Sequence, residues 1–343
     1  MQGDVMSDRG RLIGALSLVY VIWGSTYLAI RFAVETLPPL SMASVRFLLA
    51  GALLLAWTRW RGHAFPTLRQ WRSSAIIGVL LLLGGNGAVV TAQQWVASGL
   101  AALLVAVEPM FVVLVDWIRP GGRRPTALVA IGLVVGFAGT VVLVDPASLT
   151  GGDRNALGAM LVVVAALSWA IGSVYAQRAE LPSSALVASA ANMLCGGLAL
   201  GILGGARGEW TTFDPSAVTT KSLLAVAYLL VFGSLIAFSA YSWLVRAAPP
   251  ALVATYAYVN PVVAVFLGWA FAGETFESKT LLAGLLVLIA VALISLGRDG
   301  GGLPWRRRRR HPPVIASPNP IVPLELDTAT ELVPEVGETN RAA

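Results

Sequence analysis

Two polar residues stand directly before prolines in the middle of long apolar runs, and chemistry in this chain is most readily placed there. In 98–118, SGLAALLVAVEPMFVVLVDWI, the pair is Glu108-Pro109; in 250–273 it is Asn260-Pro261. Both runs are long enough to cross a bilayer as a helix. A carboxylate at that depth costs a few kcal/mol at least and is a functional candidate by default. Proline lacks an N–H and crowds the carbonyl four residues back, so Pro109 is expected to free the carbonyl of Val105 and loosen the helix beside the acid. Glu108 can then load and release a proton. The competing reading is a structural ion pair with Arg46, and the two can hold in turn.

Further polar residues fall at helical spacing inside other apolar runs. Arg46 lies too deep for easy snorkelling and must meet a carboxylate, carbonyls or a water-filled cavity; it either binds an anionic substrate group or braces the packing. Trp23 and Tyr27 share a helical face, and so do Trp169, Ser173 and Gln177, which gives an aromatic-polar stripe on each of two helices. Such walls suit organic solutes. Asn86 and Gln93, seven apart with Gln94 beside them, bind solute or join helices by hydrogen bonds. Tyr241 and Tyr256 are similar, and Tyr256 shares the face of Asn260. Asp116 reads as a solvated helix end, and the stripe Gly132, Gly136, Gly139 as close helix packing.

Several chemistries are excluded. One cysteine, Cys195, allows neither an internal disulfide nor a four-cysteine metal site, and the two histidines, His63 and His311, fall in loops. No metal and no cofactor is implied. Nothing resembles a nucleotide-binding loop, so work done by this chain draws on an ion gradient, with protons as the coupling ion. Small-molecule substrate and membrane lipid are the expected partners; no nucleic acid is expected.

The elements that position these residues follow from composition. Of 343 residues, 57% are hydrophobic and 12% charged, against about 25% charged in a soluble protein. Apolar runs of this length mean a polytopic, all-α membrane protein. Ten spans are read: 12–34, 38–60, 73–95, 98–118, 126–144, 156–177, 183–205, 221–245, 250–273 and 280–297. The first is of spanning length without a cleavage site after it, and is taken as a retained helix. Short connections make neighbours antiparallel. Seventeen basic residues, from Arg9 and Arg11 through Arg59, Arg119, Arg178 and Arg246 to Arg306–Arg310, then fall on one side; Arg154, Arg207, Lys221 and Lys279 fall on the other. That asymmetry puts both termini in the cytoplasm of a cell with an inner membrane.

The two halves match. Leu100 to Glu108 and Leu252 to Asn260 share one spacing; at a second, constant offset Trp23, Tyr27 and Arg31 meet Trp169, Ser173 and Gln177, and Arg46 meets Asn192. Five spans per half is an odd number, so the second half sits upside down: two inverted repeats, at 12–145 and 156–297, after an N-terminal segment 1–11. Polar-proline breaks at matching places in the two halves point to a site at the midplane between them. The stretch 298–343 begins Gly-rich, carries five consecutive arginines after Trp305, and ends Pro-rich and acidic. It reads as a topology anchor with a disordered tail, its arginines able to meet anionic headgroups.

At WGSTYLAIRFA (23–33), PPLSMASVRFLLAG (38–51), LSWAIGSVYAQR (167–178), ATYAYVNPVVAV (254–265) and the Gly273-Glu274 pair, the chain resembles the drug/metabolite transporter superfamily with two tandem EamA domains, most closely its bacterial YedA-like permeases. The resemblance covers about 12–297. It implies a ten-helix exporter or permease with a central cavity lined by spans 1, 3, 4, 6, 8 and 9, often proton-coupled. Glu108 stands where related permeases commonly carry an uncharged residue, although Glu-Pro also occurs in the wider superfamily. The expectation is therefore a secondary transporter, not an enzyme, exporting small organic metabolites such as amino acids or drugs by alternating access. The rival readings are a lipid flippase or scramblase, and an intramembrane enzyme using Glu108.

Overall fold

The computed structural model describes residues 2–96, 98–122, 124–143, 153–272 and 278–297. The tail after Gly297 and the Gly273-Glu274 pair lie outside them. Among the described residues every regular element is helical: α1 Gln2–Ala33, α2 Pro39–Trp60, α3 Leu68–Ala92, α4 Ser98–Val105, α5 Glu108–Ile118, α6 Ala127–Leu143, α7 Asp153–Ala176, α8 Ala185–Ala206, α9 Thr220–Ala247, α10 Pro250–Val253, α11 Tyr256–Ala272 and α12 Ser278–Gly297. Six of these (α1 from Gly10, α2, α3, α7, α8 and α9) are long and apolar enough to cross a membrane.

Local chemistry sets the ends. Pro39 opens α2 at a position where its missing N–H has no partner to lose. Thr67 and Gln70 form a reciprocal capping box, which starts α3 five residues before the apolar run that announces it. Gly62, at φ 84°, reverses the chain between them.

The first proline break falls beside Glu108 as expected; the second does not fall at its proline. The first falls at Ala106–Val107, so Pro109 sits harmlessly in the opening turn of α5 and α4 stops at Val105. The second falls at Ala254–Thr255, while Pro261 lies inside α11. Thr255 explains the shift: its hydroxyl donates to the Leu252 carbonyl at 2.6 Å and accepts from the Tyr20 hydroxyl of α1 at 2.6 Å. A hydroxyl bonded to its own backbone competes with the helical ladder, and here it wins a turn upstream of the proline.

Two interruptions have no counterpart in the sequence reading. Within α3, Val79–Gly87 is π-helical, and within α9, Leu229–Phe238 is too. Such stretches are rare and concentrate at functional sites.

Packing between the halves is reciprocal. A Cβ on Gly51 of α2 would lie 2.9 Å from the Leu194 side chain of α8, and one on Gly197 of α8 would lie 3.0 Å from Leu48 of α2. The same offset relates Gly51 to Gly197 and Leu48 to Leu194, so each helix presents its glycine to the other's leucine. In α6, Gly132 faces Ala290 and Ile294 of α12, and Gly136 faces the Tyr258 ring.

The bundle has two distinct ends. At one, Lys221 pairs with Glu35 at 2.8 and 2.9 Å, Thr36 donates to Ser222, and Glu209 accepts from the Ser41 N–H. At the other, Arg178 reaches the Pro120 carbonyl, Arg246 reaches that of Pro182, and Arg119 pairs with Asp116. Asp116 is thus held by its own helix's arginine instead of being simply solvated.

Candidate functional site

Helices α1, α2, α3, α7, α9 and α11, with the α4–α5 junction, line a cavity of about 90 Å³. Sites for drug-sized ligands run roughly 300–1,000 Å³, so this conformation accommodates a small solute. Eight of the residues singled out from sequence line it: Trp23, Tyr27, Arg46, Asn86, Glu108, Trp169, Tyr256 and Asn260.

Glu108 is 1% exposed and accepts a hydrogen bond from the Tyr256 hydroxyl at 2.5 Å. The contact joins α5 to α11, one from each half of the chain. Arg46 is 3% exposed and does not meet Glu108. Its Nη2 donates to Asn86 Oδ1 at 3.1 Å and its guanidinium carbon lies 4.1 Å from the centre of the Phe47 ring. The expected ion pair is therefore replaced by two separate attachments, because a tyrosine from the other half reaches the carboxylate and an amide on α3 reaches the guanidinium.

Next to these polar groups lies an aromatic floor. Ring centres of Trp23 stand 4.9 Å from Tyr241, 5.0 Å from Tyr256 and 5.5 Å from Trp169, the last edge-on at 87°. These separations fit favourable aromatic pairs. Trp169 Nε1 donates to the Tyr241 hydroxyl at 2.9 Å, Tyr241 donates to Ser173, and Ser173 donates back to the Trp169 carbonyl. This closed ring of three bonds holds Trp169 in place.

The π-helical stretches meet the tryptophans crosswise. Trp23 Nε1 donates to the Gly233 carbonyl of α9 at 3.2 Å. Trp169 packs on Gly85 of α3, where a Cβ would lie 2.5 Å from its ring. Each tryptophan thus stands on a glycine of the other half's widened helix. Gly85 lets the Trp169 ring approach where a side chain would block it, whereas at Gly233 the contact is to the carbonyl.

Four sequence candidates lie off the cavity. Tyr241 and Ser173 are buried behind the floor and support Trp169. Gln177 falls in the turn after α7 ends at Ala176. Gln93 caps the end of α3, buried with no partner for either side-chain polar atom. The seven-residue spacing that joined it to Asn86 assumed a helix running through both; the helix ends at Ala92, one residue short of Gln93. Pro109 and Pro261 do not themselves line the cavity. The structure adds Thr26, Phe47, Gly85, Gly233 and Phe238 to the lining. A signal was present for Gly85: the run Gly84-Gly85-Asn86-Gly87 is unusual at mid-span.

Comparison with known proteins accords with this geometry. The model of the EamA-like transporter family matches twice, over residues 11–145 and 156–296. The inner membrane transporter YedA of Escherichia coli (strain K12) is 46% identical over 288 residues, 84% of this chain and 91% of that protein. The transporter YvbV of Bacillus subtilis is 25% identical over 275 residues, 80% of this chain and 88% of that one. A crystal structure at 23% identity superposes with a TM-score of 0.67, covering 84% of this chain and 98% of its own, and shares the fold. With both halves matched and nearly half of the residues identical to YedA across most of each protein, this chain belongs to the EamA-like transporter family, membrane transporters of the drug/metabolite superfamily.

Proposed function

We propose that this protein is a proton-coupled secondary transporter that exports small organic metabolites by alternating access. One observation carries the reading: a cavity between the two halves, in which an acid from the first half is held by a tyrosine from the second. Ten transmembrane helices form two five-helix repeats of opposite orientation; the reciprocal glycine–leucine seats of α2 and α8 support this arrangement. An inverted repeat reaches its second conformation when the halves exchange shapes around a fixed site. The direction, export, follows from the family resemblance. The decisive experiment is a proton-gradient-driven uptake screen in everted vesicles, over amino acids, amines and sugars. Turnover of solute without any gradient dependence would remove the transporter reading.

The arginine-rich end faces the cytoplasm and the Lys221–Glu35 end the periplasm. Reporter fusions at the amino terminus and after Gly297 are expected to report cytoplasm from both. A periplasmic signal from either would break the ten-helix, inverted arrangement.

Exchange of shapes makes the two tryptophans alternate. In this conformation Trp23 holds the Gly233 carbonyl while Trp169 is tied to Tyr241; in the other, the attachments are swapped. Tyr241→Phe keeps the ring and deletes the hydrogen bond that ties Trp169 in this conformation, worth about 0.5–1.5 kcal/mol. It is expected to shift the conformational balance by roughly twofold to tenfold away from this state. Hydrogen exchange in 79–87 and 229–238 reads the balance, and a profile unchanged from the parent protein would contradict the swap.

A further inference from the structure

We infer that Arg46 is the receptor for a carboxylate group, and that the solute carried by this cavity is a small organic carboxylate. The inference rests on the transporter reading and names its substrate class. Arg46 is buried on the cavity wall, and among the described residues its charge has no counter-ion: its side chain donates to the neutral amide oxygen of Asn86, its face lies on Phe47, and its Nε has no partner. Among the described residues, Glu108 is the acid on the cavity lining, and it is engaged by Tyr256. A buried, uncompensated cation is costly. The described residues supply no anion at that place, so the charge is neutralised when the solute arrives.

The geometry selects the type of anion. A guanidinium offers a planar fork of donors that matches a carboxylate. Asn86 and Phe47 occupy one flank and fix the plane, which leaves Nε and the remaining N–H groups for the ligand. One guanidinium balances one negative charge. A phosphate ester carries about −1.5 to −2 at neutral pH and would leave excess negative charge buried beside Glu108. The cavity of about 90 Å³ and its aromatic floor of Trp23, Trp169 and Tyr256 call for a short body with an apolar face. Asn260, also on the lining, has a buried and unpartnered Oδ1, an acceptor for a donor group elsewhere on the solute.

The test is binding without any gradient. The full chain in nanodiscs is titrated with a panel of short-chain carboxylates, unsubstituted, 2-hydroxy and 2-amino, each matched with its primary amide, and tryptophan fluorescence is followed. Saturable changes are expected for carboxylates and not for the amides. Arg46→Gln is expected to lose about tenfold to a hundredfold in affinity, as a charge-assisted hydrogen bond is removed, and Glu108→Gln to keep the preference for carboxylate over amide. Should Arg46→Gln fail to fold, Arg46→Lys, which keeps the charge and loses the fork, decides through a weakened preference. Equal binding of amides, no binding by any carboxylate, or unchanged selectivity in the Arg46 variants overturns the inference. Gradient-driven accumulation of an amine or sugar alongside any of those results would leave the transporter reading standing and remove only this one.

Discussion

Glu108→Gln is expected to fold, to bind solute and to exchange it across the membrane, yet to accumulate none against a proton gradient. The substitution is nearly isosteric, and the amide oxygen still accepts the Tyr256 hydroxyl that now sits at 2.5 Å from the carboxylate. What it removes is the one group on the cavity lining, among the described residues, that trades a proton for a charge and touches both halves of the protein. Rearrangement of the halves breaks or makes the Tyr256 contact, and the free energy of the carboxyl's two protonation states changes with that contact. This links proton binding to the side on which the cavity opens. Without the link, accumulation is expected to fall from about tenfold, equivalent to ~1.4 kcal/mol, to equality of inside and outside concentrations. Counterflow in proteoliposomes is expected to survive within about threefold, a difference under ~1 kcal/mol, and to lose its pH dependence. Asn260→Asp places a second titratable group on the same wall and is expected to alter the pH profile without abolishing transport. Full gradient-driven accumulation by Glu108→Gln would reduce Glu108 to a structural partner of Tyr256.

Gly78→Val is expected to cost the fold about 3 kcal/mol or more, the upper range for forcing bulk into a packed interior. Gly78 of α3 and Gly196 of α8 meet backbone to backbone: a Cβ on the first would lie 2.6 Å from the Asn192 carbonyl and from the Gly196 nitrogen, and one on the second 2.7 Å from the Gly78 carbonyl. No rotamer relieves a clash between main chains, so the two helices would have to separate. The separation would reach the cavity, because the π-helical stretch of α3 starts at the next residue and carries Gly85 and Asn86. Gly14→Val is the control. Gly14 lies in the apolar part of α1 with nothing within 4 Å of the position a Cβ would take, and its substitution is expected to change stability by less than about 1 kcal/mol. Folded yield and melting by fluorescence-detected size exclusion measure both. Equal melting of the two variants would show that α3 and α8 tolerate separation.

That pair of glycines marks the limit of what a sequence discloses. Both are glycines in apolar helices, and nothing local distinguishes them; the contact that does comes from a residue more than a hundred positions away. The same holds across the site. The membrane class, six of the spans and the duplication were legible because apolar run length and spacing are local or periodic properties. Eight lining residues were legible because a polar or aromatic side chain deep in an apolar run has few places to go except a shared interior. Partner choice was not legible. Whether Glu108 meets Arg46 or Tyr256 depends on where α2 and α11 cross α5, and the crossing is set by small-residue seats such as Gly51 on Leu194. The interior of α3 was not legible either: it widens to π geometry over Val79–Gly87 and ends at Ala92, which leaves Gln93 past its last residue and off the cavity. The second helix break fell where Tyr20 of α1 reached Thr255, not where Pro261 pointed. Sequence by itself determined which groups had to be buried together; tertiary packing decided which of them touch, because hydrogen bonds and ring contacts form over distances far shorter than the uncertainty in how two helices cross.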